Sequence, residues 1–568
     1  MTQQKTDITA ATRNNFGDAE GSNDGVAEAT TSLWYRILFW GGLAVGAALL
    51  LLFPLAKPLW TDEVLNLQSG SYSIGDILQG RGTPRDHTPL QAFALWAIRS
   101  VFGDNLAFYR FFSALPAVIT PYITYLLGRR ISPKVGLLAL WITALAPGIV
   151  LFDRMARYHG MLGLLATWSV YLFLRALGTG KKQFIVGYTL VTLSMLLIYV
   201  PSLFLVVGQF CSLAYHWRRE RHALKIFGAM VVCAICLSPV ILWQLAAQTG
   251  GGAVGNGIKI SVEDPSVGQG IGGFIRRVGL PVYMYCVGET IYPWSWAVSI
   301  PGIVGSLFAF AMGTRYLIRG RDFVVPVAVV VTTVLFGAIT SGKFGALQTL
   351  GSMGKRNSFL IPLFCVTVAT GLMTIRSRPL RIGLIAILFG VWGYANFNYW
   401  TGREFLNPNY TAPWNAVMQR LDSEGFRENA IIITDEDVVM YTMSQGNTKV
   451  PVVSPNTPGI GGYGRVDKTL ALAAKKQEDR RYIYFIGRDR GNRIAVNLGD
   501  RVCAALANQY ECVYEAGFME RSESEKYWLE KMMKRPTPPY YIWVKRFDTQ
   551  TPASGVTATS NMPGESRP

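Results

Sequence analysis

Residues 34–56, WYRILFWGGLAVGAALLLLFPLA, form an apolar run with a single charged residue, and this run decides the class of the fold. A helix of about 20 apolar residues crosses the roughly 30 Å hydrocarbon core of a bilayer. The run lacks the early basic start and the small-residue cleavage site of a secretory signal, so we expect a retained transmembrane helix. Residues 1–33 are polar and rich in Ser, Thr and Asn, and we expect them to form a disordered cytoplasmic N-terminus.

Ten further apolar runs follow before residue 401, and the composition agrees with them. Hydrophobic residues make up 50% of the 568 positions and charged residues only 16%, whereas about 25% of the residues of a soluble protein are charged. The sequence therefore predicts a polytopic α-helical membrane protein with about 11 spans, within a transmembrane domain over residues 34–400. The predicted spans are 34–56, 108–128, 133–152, 159–178, 183–199, 201–217, 223–246, 293–314, 323–341, 356–375 and 382–400.

The net charge of +18 comes largely from basic clusters that lie between the apolar runs. The clusters fall on one side of the membrane if the N-terminus is cytoplasmic, which is the positive-inside pattern and not the single basic face of a nucleic-acid-binding protein. This arrangement requires residues 88–103 to lie along the outer surface as an amphipathic helix. We therefore expect a multi-pass protein of the plasma (inner) membrane, with outer loops over 57–107 and 247–292 and no nucleic-acid partner.

The segments outside the predicted spans differ in composition. The outer loop 247–292 is rich in glycine, which is typical of a mobile lid over an active site, although a plain flexible linker has the same composition. Within residues 401–548, AIIIT, RYIYFIG and YYIWVKRF are strand-like and alternate with helical patterns, so we expect a small extracytoplasmic α/β domain. Residues 549–568 are rich in Thr, Ser and Pro, and we expect a disordered tail.

The seven cysteines do not indicate a metal or redox centre. Cys233 and Cys236 form a C-x-x-C pattern, but it lies inside an apolar run with no histidine or second pair nearby. Cys503 and Cys512 lie in the outward-facing domain, where an oxidising compartment permits a disulfide between them. Two reduced thiols remain the alternative for this pair.

Four short polar motifs carry the candidate chemistry, and the predicted topology puts all of them on the outer side. The first is the adjacent pair Asp62 and Glu63, and the others are RGTPRDHTPL (81–90), LFDRMARYHG (151–160) and GKRNSFLIP (354–362). Ionisable residues at the edge of an apolar span are costly in lipid and usually face a protein cavity with a function. The candidate site residues are Asp62, Glu63, Arg85, Asp86, His87, Asp153, Arg154, Arg157, Tyr158, His159 and Arg356.

Carboxylates and arginines on one membrane face indicate a particular kind of reaction. Arginine binds phosphate oxygens bidentately and stays charged, and a carboxylate can take a proton from a hydroxyl or amine within hydrogen-bond reach. Together they suit a transfer that deprotonates a nucleophile and releases a phosphate. Simpler explanations stay open. Asp62 could cap a surface helix, Asp153 and Arg154 could form a local ion pair, and Arg356 could anchor its span at the interface.

In this order, the four motifs resemble those of the family 39 glycosyltransferases, enzymes of the GT-C fold that include protein O-mannosyltransferases and the lipid A aminoarabinose transferase. The resemblance covers residues 30–400. It rests on the Asp-Glu pair, a His-x-Pro-Leu turn, Asp-Arg-x-Ala-Arg-Tyr and a late Arg with Ile-Pro. It implies a membrane glycosyltransferase that moves a sugar from a polyprenyl-phosphate donor to an extracytoplasmic lipid, glycan or protein. Its partners would be this donor, the acceptor and membrane lipids.

The resemblance also implies roles for single residues. Asp62 would be the base that activates the acceptor, Glu63 its support, and Asp153 a second acid of the site. Four guanidinium groups would bind the donor phosphate: Arg85, Arg154, Arg157 and Arg356. Four further side chains would contact donor or acceptor: Asp86, His87, Tyr158 and His159. The chain departs from the family pattern at Thr88, where a proline is usual, and in RNSFLIP, where Arg-Tyr-Leu is common.

A second class of function fits the same composition, namely a secondary transporter or flippase of an anionic lipid-linked sugar. Such a protein would have broken helices near the bilayer midplane and a repeat between its halves, and the sequence has no visible repeat. It also has no zinc-type ligand cluster, Walker loop or dinucleotide fingerprint. No cofactor is required, although a divalent cation that bridges Asp62, Asp153 and a phosphate is compatible with the sequence. The sequence therefore favours the glycosyltransferase.

Overall fold

The computed structural model describes most of the chain, with gaps that fall mainly in loops and at both ends. The described residues are 32–79, 89–249, 270–341, 353–423, 429–434, 436, 438–440, 443, 450–454, 465–477, 480–488, 493–533 and 537–553.

Helices make up most of the described chain up to residue 401. They are α1 (Leu33–Leu51), α2 (Thr61–Ser69), α3 (Ile74–Leu78), α4 (Pro89–Phe102), α5 (Leu106–Arg129), α6 (Pro133–Leu145), α7 (Pro147–Phe152), α8 (His159–Thr179), α9 (Lys182–Leu196), α10 (Leu203–His216), α11 (Ala223–Thr249), α12 (Gly270–Cys286), α13 (Trp296–Leu317), α14 (Val324–Ser341), α15 (Met353–Arg356), α16 (Ile361–Thr374) and α17 (Arg378–Thr401). Within the described part, seven regions are long and apolar enough to cross a membrane, and they lie on α1, α5, α8, α11, α13, α14 and α17.

Each of the eleven predicted spans coincides with a helix, and the span at 133–152 coincides with two. There α6 ends at Leu145, because Ala146 precedes Pro147 and adopts an extended ψ of 119°, as the residue before a proline usually does. Helices α9 and α10 have 15 and 14 residues, fewer than the roughly 20 that a span needs. The polytopic helical fold is therefore confirmed, whereas the count of eleven spans stays a prediction.

Helix α12 was not expected from the sequence. The predicted outer loop 247–292 contains α12 (Gly270–Cys286), while residues 250–269, which carry much of its glycine, lie outside the described part of the chain. The glycines of α12 lower its helix propensity, but packing against α14 compensates. There Gly337 has no side chain, and Val278 fills the space beside it. The predicted amphipathic segment 88–103 is helical, as α4.

Helix α16 lies at the centre of the membrane part, and all but its last two residues are buried. Helix α13 crosses it where Gly313 and Gly371 face each other's backbone, because small residues let two membrane helices approach closely. The 3₁₀ turn that leads into α16 meets the start of α8, where the Oγ of Ser358 lies 3.4 Å from the Nδ1 of His159. The crossing therefore holds the segment before α16 against the α7–α8 turn.

The C-terminal region contains a five-stranded mixed sheet in the order β2-β1-β3-β5-β4. Strand β1 is parallel to β2 and β3, and β5 is antiparallel to β3 and β4. All five residues of β1 are buried, as expected for a strand with parallel neighbours on both sides. The C-terminal sheet predicted from the strand-like segments is thus confirmed. Its elements are α18 (Trp414–Ser423), β1 (Ala430–Thr434), β2 (Val452–Val453), α19 (Arg465–Gln477), β3 (Tyr482–Arg488), α20 (Arg493–Gln509), β4 (Tyr510–Glu520), α21 (Glu523–Met533) and β5 (Tyr540–Pro552).

This C-terminal region contacts the membrane part through several of the described side chains. Val64 of α2 belongs to the same buried apolar cluster as Trp414 of α18. Trp528 of α21 stacks on Trp294, with ring centroids 6.0 Å apart, and meets Trp296 edge-on at 5.9 Å. Helix α2, with its two acids, therefore lies where the C-terminal region meets the membrane helices.

Candidate functional site

Helix α2 presents two acids in its first turn, where the helix dipole favours negative charge. Consecutive residues of an α-helix point about 100° apart, so the two side chains enter different surroundings. The side chain of Asp62 keeps 27% of its surface exposed, whereas that of Glu63 keeps 1%. Only Asp62 is therefore accessible to a ligand.

Asp62 pairs with two cations that come from distant parts of the chain. Its Oδ2 accepts a hydrogen bond of 2.6 Å from Nη1 of Arg157 and another from Nζ of Lys355. Both cations lie over the ring of Trp60, at 5.6 Å and 4.7 Å from its centroid. Trp60, Asp62, Arg157 and Lys355 form what we call the Asp62 cluster.

Burial and ion pairing act in opposite directions on the charges of this cluster. Burial alone would raise the pKa of Asp62, but the positive charges of Lys355 and Arg157 outweigh it and hold the pKa below its ordinary value. Burial lowers the pKa of the Lys355 ammonium, and the charge of Asp62 opposes this change. In this arrangement Asp62 is an anion and a weak base for as long as both cations stay on it.

Glu63 forms a buried ion pair with Arg110 of α5. Its Oε1 and Oε2 accept hydrogen bonds of 2.8 and 2.7 Å from Nε and Nη2 of the guanidinium. The backbone N–H of Ala156 donates to Oε1 at 2.8 Å. Arg110 also donates to the carbonyl oxygens of Lys57 and Pro58, at 2.7 and 3.0 Å. Glu63 thus ties the start of α2 to α5 and to the α7–α8 turn, which positions Asp62 beside Arg157.

Arg154 is engaged away from the Asp62 cluster. Its guanidinium donates to the carbonyl oxygens of Leu52 and Phe53 at 2.7 and 2.8 Å, and also to that of Leu49. It lies 4.5 Å from the ring centroid of Trp400. A cation on the terminal carbonyl groups of a helix stabilises that end. The structure therefore places Arg154 as a cap on α1, although the sequence suggested a phosphate contact.

The other predicted residues of the α7–α8 turn are buried behind Arg157. Asp153 is 4% exposed, and burial raises its pKa well above the ordinary value, which favours the protonated form. Tyr158 stacks on Tyr199 with ring centroids 5.2 Å apart, and His159 faces Ser358. All three side chains are thus buried in the interior around this turn.

The remaining predicted residues lie partly outside the described chain. Arg356 is half-buried, and its charge helps to lower the pKa of Asp62, so it belongs beside the cluster. Arg85, Asp86 and His87 fall within residues 80–88, which the structure does not describe. Their predicted roles stay predictions.

Three residues next to Asp62 were missing from the sequence-based selection. Lys355 lies in the motif GKRNSFLIP, but its neighbour Arg356 was selected there because arginine binds phosphate oxygens bidentately. Glu289 lies between α12 and α13 and packs on Gly354, where a Cβ would overlap its carboxylate. Tyr410, in the segment before α18, meets Trp60 edge-on with centroids 4.8 Å apart. Glu289 had a detectable signal, since it is an isolated acid in an apolar stretch.

The described residues do not assemble a metal site, since none of them form a group of three or more His, Cys, Asp and Glu side chains that could hold an ion. At Asp62, Oδ2 already accepts from Lys355 and Arg157, which supply two positive charges to the carboxylate. The residues therefore fit a lysine and an arginine as the counter-charge better than a cation shared with Asp153. Among the described cysteines, Cys503 and Cys512 are not joined by a disulfide, which corrects the predicted pairing. Cys512 lies exposed on β4.

Comparisons with known proteins agree with this architecture. Residues 86–243 match the family model described as dolichyl-phosphate-mannose-protein mannosyltransferase. No curated protein matches the chain. The fold is similar to that of ArnT from Cupriavidus metallidurans in the apo state, at 10% identity and a TM-score of 0.51, over 91% of this chain and 98% of that chain. It is also similar to the apo oligosaccharyltransferase of Archaeoglobus fulgidus, again at 10% identity and a TM-score of 0.51, over 91% and 89%.

The two kinds of comparison support different statements. At 10% identity the structural likeness concerns the fold, and it extends over both the membrane helices and the C-terminal region. The family match concerns the sequence and includes the α7–α8 turn with Arg157. Together they show that residues 86–243 are similar in sequence to the protein mannosyltransferase family, and that the chain has a fold like that of ArnT and of the archaeal oligosaccharyltransferase.

Proposed function

We propose that this protein transfers a sugar from a polyprenyl-phosphate donor to a hydroxyl or amine of an acceptor outside the cytoplasm. The Asp62 cluster carries the proposal, because it puts one carboxylate and two cations together at the edge of the membrane helices. The description of the matching family names a dolichyl-phosphate sugar, and we infer the same class of donor here.

The donor phosphate is expected to bind Lys355, Arg157 and Arg356. A phosphodiester carries one negative charge, so it competes with Asp62 for the two cations of the cluster. When the cations turn to the phosphate, burial again dominates the surroundings of Asp62 and raises its pKa. Donor binding would thus turn Asp62 from a weak base into a stronger one at the moment when a base is needed.

The transfer itself needs one proton acceptor and one stabilised leaving group. Asp62 takes the proton from the acceptor hydroxyl or amine, and the freed electron pair attacks the anomeric carbon of the sugar. The bond between that carbon and the phosphate oxygen breaks, and the polyprenyl phosphate leaves with the bonding electrons. Lys355 and the arginines stabilise its added negative charge, which is an electrostatic contribution suited to a water-poor site.

The other candidate residues then take supporting roles. Glu63 and Arg154 are positioning residues, because their hydrogen bonds hold α2 and the end of α1. Asp153, Tyr158 and His159 are proposed to form the wall of the site. We further propose that the protein lies in the plasma (inner) membrane with a cytoplasmic N-terminus, and that the site and the C-terminal α/β domain face outward.

The proposal is tested by replacing the base. Wild type and Asp62→Asn are purified into nanodiscs and incubated with radiolabelled polyprenyl-phosphate sugars, and release or transfer of the sugar is counted. Loss of a general base lowers a rate by about 10²- to 10⁴-fold, and this is the loss expected for Asp62→Asn. Binding of the lipid phosphate should be kept or strengthened, because the variant no longer competes with the phosphate for the two cations.

The matched control is Asp322→Asn. Asp322 also accepts from an arginine, Arg130, at 3.1 Å, but it lies on a different loop, between α13 and α14, and its side chain is partly exposed. This variant should keep full activity. A wild type that neither binds nor turns over any lipid-linked sugar would contradict the proposal, and transport of labelled lipid would be the next assay.

A further inference from the structure

Glu289 is a buried acid that the proposed reaction does not use. It is 2% exposed, and neither of its carboxyl oxygens has a hydrogen-bond partner among the described residues. A buried polar group without a partner is costly, and in native proteins such a group usually has a reason. A ligand that forms the missing hydrogen bonds when it binds would be such a reason.

The surroundings of Glu289 contain more groups of this kind. The hydroxyl of Tyr410, which faces Glu289 and Asn407, and the indole N–H of Trp60 are also buried, and neither makes a well-formed hydrogen bond in the described part of the chain. Trp60 contacts both Tyr410 and Lys355, and Glu289 packs on Gly354, the residue before Lys355. An acceptor, a hydroxyl and a donor are therefore left unsatisfied around one cluster.

This set of groups matches a sugar ring better than it matches a phosphate. A phosphate offers only acceptors, so it would leave at least one acceptor oxygen of the Glu289 carboxyl group without a donor. A sugar offers several hydroxyl groups, each of which both donates and accepts. Since Lys355 is a proposed contact of the donor phosphate, a sugar attached to that phosphate would come next to Glu289.

We propose that Glu289 binds a hydroxyl group of the sugar carried by the donor, and that Tyr410 shares this contact. The inference rests on the proposed function, because it takes the donor phosphate to lie on Lys355. Glu289 would then be a residue that determines the specificity for the sugar. The donor would carry a neutral hexose with a free hydroxyl group next to Glu289.

The charge state of Glu289 agrees with a neutral partner. The charged and titratable groups that face it are Lys355 and Tyr410, and the charge of Asp62 in turn acts on Tyr410. Burial raises the pKa of Glu289 to about 8, although the charge of Lys355 opposes the rise. Near pH 7 the carboxyl group is therefore mostly protonated, and it can donate one hydrogen bond to a hydroxyl and accept another.

The test separates recognition of the sugar from recognition of the lipid phosphate. Dissociation constants are measured in nanodiscs for two probes: a polyprenyl phosphate without sugar, and the same lipid phosphate carrying mannose, glucose or galactose. Wild type should bind one hexose donor more tightly than the bare lipid phosphate. Because a buried hydrogen bond is lost, this preference should fall roughly tenfold in Glu289→Ala and less in Tyr410→Phe.

Two further variants keep the result interpretable if Glu289→Ala folds poorly. Glu289→Gln keeps a neutral donor and acceptor and should retain the preference for the hexose donor. In wild type this preference should decline as the pH rises through about 8, whereas in Glu289→Gln it should not. Glu404→Gln is the control, since Glu404 lies near this loop with both oxygens hydrogen-bonded, to Tyr292 and Ser295 and to Tyr394.

The outcomes distinguish the two proposals. If wild type binds both probes but prefers no hexose, or if Glu289→Ala keeps the wild-type preference, the sugar contact is wrong and the proposed function stands. If wild type binds neither probe, the proposed function fails and this inference fails with it.

Discussion

The ion pair of Glu63 and Arg110 determines where Asp62 lies. Glu63 is completely buried, its two oxygens accept three hydrogen bonds, and Arg110 reaches across to the carbonyl groups that precede α2. Removal of one member of a buried pair leaves the other charge without compensation, which is costly. The pair therefore acts as a structural clamp under the reactive carboxylate.

Replacement of this clamp should lower stability. We expect Glu63→Gln to lose about 3–5 kcal/mol of unfolding free energy, seen as a lower midpoint of thermal unfolding in detergent by tryptophan fluorescence. Asp322→Asn, which breaks a partly exposed pair, should cost about 1 kcal/mol or less. A Glu63→Gln protein with an unchanged midpoint and no transferase activity would show instead that Glu63 takes part in the chemistry.

The crossing of α13 and α16 holds the second half of the site. The glycines at the crossing leave no room for a side chain, since a Cβ on Gly371 would overlap the carbonyl oxygen of Ala309, and one on Gly313 that of Thr367. The same helix α16 begins just after Lys355 and Ser358. A shift of this crossing would therefore move the cations relative to α2.

A methyl group at the crossing should separate the two helices. Forced overpacking of a buried contact costs about 1–3 kcal/mol, so Gly371→Ala should lower the unfolding midpoint and reduce the affinity for the lipid phosphate. Gly383→Ala, on the neighbouring helix α17, is the control, because no other atom lies within 4 Å of a Cβ there. Equal midpoints for the two variants would contradict the role assigned to the crossing.

The whole molecule depends on how the C-terminal region sits on the membrane part. Tyr410, in the segment before α18, contacts Trp60, and Trp528 stacks against Trp294 and Trp296. Through these aromatic contacts the C-terminal region lies against the site and is more than an appended domain.

Loss of one aromatic contact should loosen this attachment. Each aromatic pair contributes about 0.5–1.5 kcal/mol beyond buried area. Trp528→Ala should therefore raise roughly tenfold the population of molecules in which the C-terminal region has separated from the membrane part. Limited trypsin cleavage at Arg403, between α17 and α18, should accelerate by the same factor if this separation is fast compared with cleavage. Tyr527→Ala, at the exposed neighbour of Trp528, should leave the rate unchanged, and equal rates for the two variants would rule out the attachment.

The sequence alone determined the class of the fold and indicated the chemistry that we propose. Hydropathy and strand patterns are local properties, so the runs before residue 401 indicated membrane helices, and AIIIT, RYIYFIG and YYIWVKRF indicated strands of the C-terminal sheet. The glycine-rich stretch hid α12, because its helix depends on packing against α14. Charged residues at the ends of apolar spans are rare enough to stand out, and the structure brings three of the four motifs together around Asp62. Residues 81–88 of the fourth motif lie outside the described chain.

Only the tertiary structure decided which side chain of each motif faces the others. It separated Asp62 from Glu63, directed Arg154 to the end of α1, and brought Lys355 to Asp62. It also added Glu289, which belongs to none of the motifs. The reason is that these contacts join residues 95 and 293 positions apart in the chain. The rotation of each helix about its axis and the close glycine crossings set such distances, and neither property can be read from the local order of residues.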